Sequence, residues 1–327
     1  MEKSVIYLVK VDPNANNSKY YKMIPNGDKF VAEYGRLGNA NFQSAMYNMS
    51  QWDKKYNEKI KKGYENKSEL IEELVTDTTE DSVDSPYQPI PNKVIATIVD
   101  RLQKMANDTI NKNYQVSANQ VTNAMIESAQ GIIDSLANFS ASVENFNNAL
   151  VELFKVLPRK MRTVKENLAE STDEIPQIYQ REQDLLDVMK GQVVQRQVTE
   201  KPKKNENDTK EKNKTILETM GIEMCEITEQ EESEIKQALG SISDRFYQAW
   251  KVKNTKTQKN FDEYMSTVKN KETKLLFHGS RSENWWSIIN SGLVLRPNAK
   301  ITGKLYGHRY LFCSKSTKES WVHKHKK

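Results

Sequence analysis

At 327 residues, with 28% charged against 37% hydrophobic side chains, the chain suits several small domains joined by linkers better than one large core. Its net charge is only +5, from 49 basic and 44 acidic residues, so charge alone admits a nucleic-acid partner without requiring one. The two cysteines, Cys225 and Cys313, exclude a disulfide framework and a cysteine-rich zinc site and point to a reducing compartment. The opening run Met1–Val9 lacks the length and cleavage site of a secretory signal. No apolar run approaches the roughly 20 residues of a membrane span. The expectation is a soluble intracellular protein, cytoplasmic or, in a eukaryote, nuclear.

From the start of the chain, Val5–Val11, Tyr20–Ile24 and Lys29–Tyr34 read as strands, separated by Asp12-Pro13-Asn14 and Pro25-Asn26-Gly27-Asp28. Gly35-Arg36-Leu37-Gly38-Asn39 is a glycine-punctuated turn. Phe42, Ala45, Met46 and Met49 then fall at helical spacing and predict a helix. A second helix follows around Trp52, Tyr56 and Ile60. Strands leading into Tyr34-Gly35-Arg36, then helix and Lys61-Lys62-Gly63-Tyr64, resemble a WGR domain, with Tyr34 where that family carries tryptophan. The resemblance implies DNA contact through Tyr34 and Arg36. An aromatic face can stack on a sugar or base, and a guanidinium can fork onto a phosphate. The residues alone leave a second reading open, with Tyr34 a half-buried sheet residue and Arg36 a solvated turn charge.

Residues 81–92, with Pro86, Pro89 and Pro91, form a linker. Beyond it, stripes at Val94/Ile95/Ile98/Val99/Leu102/Met105, Val121/Ala124/Met125/Ile132/Ile133/Leu136, Val143/Phe146/Leu150/Leu153/Phe154/Leu157 and Leu185/Leu186/Met189/Val193 predict a helical bundle. Leu150–Arg159, ending in Leu157-Pro158-Arg159, resembles the signature of the regulatory helical domain of poly(ADP-ribose) polymerases (PARPs). In that family this domain covers the NAD site and loosens on DNA binding.

Lys201–Lys214 is a charged, apolar-free run. After it come a short helix ending at Gly221, a strand at Ile222/Met224/Ile227, an acidic-headed helix Glu229–Leu239, a strand over Phe246–Lys253 and a helix striped by Phe261, Tyr264, Met265 and Val268. A strand at Lys274–Phe277 delivers His278-Gly279-Ser280, followed by a helix marked by Trp285, Ile288 and Ile289 and closed by Gly292. Together with Gly303–Gly307, Tyr310-Leu311-Phe312 and Ser314-Lys315-Ser316, this stretch resembles the first part of the PARP ADP-ribosyltransferase core.

That resemblance implies NAD+ as substrate and no metal. The Gly279 backbone and Ser316 would hold the nicotinamide carboxamide, and His278 the adenosine ribose hydroxyls. Ser280 and Asn284 would line the dinucleotide path. The stacking position falls to Tyr310 or, by strict alignment, to Leu311. The family core ends in a catalytic glutamate, whereas this sequence stops at Lys327 with Glu319 its only later carboxylate. The expectation is therefore a C-terminally truncated catalytic domain with weak or absent transfer.

The predicted architecture is multidomain α+β. A WGR-like small antiparallel sheet plus helices occupies residues 1–80, an all-α regulatory-like bundle 93–200, and the first part of a mixed α+β ADP-ribosyltransferase fold 201–327. The function that follows is DNA-responsive ADP-ribosyl transfer from NAD+ to protein or nucleic-acid acceptors. The alternative is a DNA-binding module with a vestigial NAD fold.

Overall fold

The computed structural model describes residues 3–37, 42–71, 87–116, 118–199, 214–273 and 277–293. It divides into two compact units. One holds Met1–Asp81 with Asp108–Val193, and the other holds Ser82–Asn107 with Val194–Lys327.

The first unit opens with an antiparallel five-stranded sheet of order β4-β3-β2-β1-β5, built from β1 (Ile6–Asp12), β2 (Asn17–Asn26), β3 (Lys29–Arg36), β4 (Gln43–Asn48) and β5 (Glu65–Asn66). The β1–β2 turn is set by Asp12, whose carboxylate accepts from the amides of Asn14 (3.0 Å) and Ala15 (3.2 Å). Helix α1 (Trp52–Lys61) covers one face of the sheet. Leu8, Tyr21, Met23, Phe30, Ala32 and Trp52 form the core there, with Phe30 meeting Trp52 edge-on at 5.1 Å between ring centroids.

The stretch predicted as a helix around Phe42–Met49 is strand β4. The helical spacing lost to the needs of the β3 edge, whose backbone groups pair with β4 from Lys29↔Asn48 to Tyr34↔Gln43. Phe42 and Met46, which a helix would have turned inward, stand 51% and 58% exposed, while Tyr47 packs on Phe30.

The helices that follow are α2 (Lys93–Asn113), α3 (Asn123–Leu136), α4 (Val143–Val156) and α5 (Ile175–Thr199). Residues as far as Asn107 of α2, and those from Val194 in α5, group with the second unit. The buried stripe of α2 is Ile95, Val99, Leu102, Ala106 and Ile110, rotated slightly from the predicted one, so that Val94 is 39% exposed. Thr122 caps α3 by accepting from Met125 N (3.1 Å) and donates its own proton to the Leu70 carbonyl (2.6 Å), tying the tail of the sheet domain to the helices. Helix α4 stops where Pro158 forces Leu157 into extended backbone.

Just beyond, Tyr114 and Arg159 form a short antiparallel bridge, flanked by Gln115 N to Pro158 O (2.9 Å) and Lys160 N to Asn113 O (2.8 Å). The Arg159 guanidinium lies 4.8 Å from the centre of the Tyr114 ring and 3.6 Å from the Glu182 carboxylate. Arg159 and Glu182 are 4% and 1% exposed, so this is a buried ion pair. Arg181 adds a second contact to Glu182 at 2.9 Å. A further ion cluster joins β5 to α4, where the buried Lys155 ammonium contacts Glu65 and Glu152, with Lys67 alongside. Burial works against the Lys155 charge, but the hydrogen bonds to Glu152 and Glu65 outweigh it and raise the lysine pKa.

In the second unit, α6 (Ile216–Met220) begins with a reciprocal capping box between Thr215 and Glu218 and ends at Gly221. Gly221 has φ 68°, and a Cβ there would lie 2.4 Å from Thr255 Oγ1, so both conformation and space require glycine. Strand β6 (Ile222–Glu226) pairs antiparallel with β7 (Trp250–Asn254), from Ile222↔Asn254 to Glu226↔Trp250. Between them, α7 (Glu229–Leu239) starts with a second capping box, Thr228 with Glu231. The predicted strand over 246–253 starts only at Trp250, because β6 offers partners no further than Glu226. Helix α8 (Thr255–Thr267) follows, its Phe261 and Tyr264 exposed at 47% and 63%. The last described helix is α9 (Trp285–Ser291). No helix among the described residues is long and apolar enough to cross a membrane.

Candidate functional site

The His278-Gly279-Ser280 turn sits between the predicted strand, whose residues 274–276 lie outside the described ones, and a single 3-10 turn, Ser282–Asn284, that leads into α9. His278 and Ser280 are half-buried and Gly279 is exposed, so the backbone of the turn is open to a ligand. Asn284, at the start of α9, donates from Nδ2 to the Ser280 hydroxyl oxygen at 3.2 Å. The structure therefore brings four predicted residues, His278, Gly279, Ser280 and Asn284, into one short segment. Tyr310 and Ser316, with Leu311 and Glu319, lie outside the described residues.

Burial lowers the His278 pKa below the usual histidine value, so the imidazole is neutral near pH 7. A neutral imidazole has one donor nitrogen and one acceptor, which suits a pair of vicinal hydroxyls. Among the described residues no group of three or more His, Cys, Asp or Glu is placed to hold a metal ion.

Helix α9 is held at both ends by side chains. In its first turn the indole of Trp286, 1% exposed, donates to Gln195 Oε1 at 2.8 Å. In its last turn Asn254 Nδ2 donates to the carbonyls of Ile289 (2.9 Å) and Asn290 (3.0 Å). The other atom of that amide, Asn254 Oδ1, accepts from Lys256 N and Thr257 N and caps α8. Gly292, at φ 74°, ends the helix where a Cβ would meet Thr257 Cγ2 at 2.8 Å.

The second candidate region is one end of the five-stranded sheet. Tyr34 lies on the face under α1, half-buried, stacked on Tyr21 at 5.8 Å between centroids. Lys59 of α1 reaches over Tyr21 (4.1 Å), Tyr64 (5.6 Å) and Tyr34 (5.9 Å). Burial lowers the Lys59 pKa, with the charges of Lys62, Lys55 and Lys19 adding to the effect. Arg36, half-buried at the end of β3, donates weakly to the Arg162 carbonyl at 3.4 Å.

The strand register places three cations in one row across the sheet, Lys10↔Lys19 and Lys19↔Arg36. Lys10 is partly satisfied by the Lys62 carbonyl at 2.7 Å. Sequence reasoning missed Lys10 and Lys19, since only the register shows that they flank Arg36.

Residues 4–70 match the family model described as WGR domain, and residues 222–326 the one described as poly(ADP-ribose) polymerase catalytic domain. The second match contains the His278-Gly279-Ser280 turn and α9. The chain belongs to the poly(ADP-ribose) polymerase family. Two similar proteins come from Invertebrate iridescent virus 6. "Uncharacterized protein 101L" is 30% identical over 189 residues, 57% of this chain and 76% of that protein. "Putative poly [ADP-ribose] polymerase-like 100L" is 29% identical over 93 residues, 27% of this chain and 51% of that protein. As a PARP-family protein, the chain thus pairs a WGR sheet with a catalytic-domain segment, joined in sequence by the helices α2–α5.

Proposed function

We propose that this chain binds NAD+ at the His278-Gly279-Ser280 turn and transfers ADP-ribose from it to protein or nucleic-acid acceptors, in response to DNA engaged by the sheet domain. The observation that carries the reading is the turn itself, open at Gly279 and braced by Asn284 inside the segment that matches the polymerase catalytic domain.

The chemistry assigns each group a task. The nicotinamide carboxamide needs one acceptor and one donor, which the Gly279 carbonyl and amide supply, with the Ser316 hydroxyl as a second contact. Glycine permits the close approach of the ring. His278 holds the adenosine ribose through its two nitrogens, and Ser280 and Asn284 line the dinucleotide. Tyr310, or Leu311 beside it, covers the nicotinamide ring. With both ends of NAD+ held, the bond from ribose C1′ to the nicotinamide nitrogen breaks, the electron pair leaves with nicotinamide, and C1′ gains oxocarbenium character. An acceptor nucleophile then bonds to C1′ and releases its proton. Holding the reactants in this geometry removes much of the entropic part of the barrier.

DNA contact is assigned to the basic row Lys10, Lys19 and Arg36, with Tyr34 and Lys59 behind it. Like charges placed directly opposite on a sheet repel, and a phosphate backbone removes that repulsion. The contact of Arg36 with the Arg162 carbonyl supports a DNA response, because the same side chain touches the loop that follows Arg159. Residues 93–200 take the regulatory role and residues 201–327 the catalytic one.

The test is to incubate the purified chain with NAD+ labelled in the adenosine part, with and without nicked DNA, and to follow protein-bound label and free nicotinamide. Label on protein, increased by DNA, is the expected result. NAD+ binding without nicotinamide release would instead identify a binding module, and no binding would remove the NAD+ assignment.

A further inference from the structure

We infer that Gln195 and Asn254 are positioning residues for the candidate NAD+ turn, acting through α9; this rests on the NAD+ reading above. Both residues bond to α9. Asn284 bonds to the turn and stands directly before α9, so the orientation of that helix sets where Asn284 meets Ser280.

Two independent side chains fix this orientation. Trp286 is the largest fully buried side chain among the described residues, and its indole N–H has the side-chain amide oxygen Oε1 of Gln195 as acceptor. A buried indole N–H without an acceptor is costly, so the contact fixes the rotation of α9 about its own axis. At the other end, both hydrogens of the Asn254 amide go to the last turn of α9, while its oxygen caps α8. Asn254 is itself 9% exposed, so it has little water to replace these bonds. One helix of seven residues, too short to hold its own orientation, is clamped at its first and last turns. Gln195 also lies on the same helix, α5, as the buried Glu182.

Binding of a dinucleotide is sensitive to small misplacements of its contact groups, whereas global folding is much less so. The two residues therefore act on NAD+ affinity more than on stability.

The experiment uses the full chain and titrates NAD+ calorimetrically against the wild type and three variants, with thermal melting measured in parallel. Gln195→Met keeps length and helix propensity but removes the acceptor. Gln195→Glu restores an acceptor. Asn254→Asp keeps the α8 cap and removes both donors to α9. The expected result is NAD+ affinity about tenfold weaker for Gln195→Met and Asn254→Asp, from the lost and unreplaced hydrogen bonds. Gln195→Glu should stay within about threefold of wild type, and all variants should keep a cooperative melt close to the wild type's.

Wild-type affinity in both Gln195→Met and Asn254→Asp would overturn the inference. So would a loss of affinity that only tracks a loss of the folded state. A wild-type chain that binds no NAD+ would instead overturn the reading on which the inference stands.

Discussion

His278 has its pKa depressed by burial, and the sign of the effect is definite. Where the folded pKa lies below the unfolded one, the unfolded state binds more protons between the two values, and stability rises with pH there. The contribution of neutral His278 is thus complete above about pH 6.5 and is lost as the pH falls through the lower folded value. NAD+ affinity should follow the same course, flat from neutral to mildly alkaline pH and falling on acidification. Titrations at a series of pH values check this, and His278→Ala should weaken binding by about tenfold and abolish the pH dependence. At the sheet end, Arg36→Ala should weaken DNA binding and lower the slope of log affinity against log salt by about 1, measured by fluorescence anisotropy across salt concentrations.

The grouping of Asn284 with the His278-Gly279-Ser280 turn was legible in the sequence, because these residues are local. Gln195 and Asn254 were not, since an amide in a helix and another at a strand end carry no local signal of a partner 91 or 35 residues away.

Among the elements, the sheet domain rests on a few aromatic contacts. Phe30 is fully buried between Tyr47 and Trp52, and Phe30→Ala should cost about 3–5 kcal/mol, from lost transfer energy and the cavity left behind. Urea unfolding followed by tryptophan fluorescence measures this. The helices α3 to α5 were readable because apolar residues recur at three and four and nothing competes with that period. Strand β4 was not, since Phe42, Ala45, Met46 and Met49 satisfy a helical stripe as well as Ala45 and Tyr47 satisfy a strand. Only the open edge of β3, which needs a partner for its backbone, decides between the two. The helix α8 stripe was read correctly as helical, but burial does not follow from periodicity, and two of its large side chains face solvent.

For the molecule as a whole, the Arg159–Glu182 pair is the most exacting commitment. Two charges out of water need partners, and removing Arg159 leaves the buried Glu182 carboxylate with only the more exposed Arg181, at 2.9 Å, to compensate it. Arg159→Ala should therefore cost about 3 kcal/mol in urea unfolding, at the low end for a broken buried pair because Arg181 remains, whereas Arg159→Met combined with Glu182→Leu should return close to wild-type stability. If the single and double variants unfold alike, the cost comes from packing against Tyr114 and not from the stranded carboxylate. The sequence motif Leu157-Pro158-Arg159 marked the end of α4, where Arg159 lies. The partner Glu182 was hidden, because an acidic residue on a long helix reads as solvated until the fold buries it.

The row Lys10, Lys19 and Arg36 makes the ligand-free sheet a load carrier. Its mutual repulsion is a fixed cost of folding, and any polyanion that settles on it relieves that cost in the folded state alone. By mass action the protein should then melt at a temperature that climbs with anion concentration, even for heparin or inorganic polyphosphate, which carry no base sequence at all. Lys19→Gln should raise the melting temperature in plain buffer and flatten its rise with added polyanion. The thermal endurance of this protein would then report how much nucleic acid surrounds it.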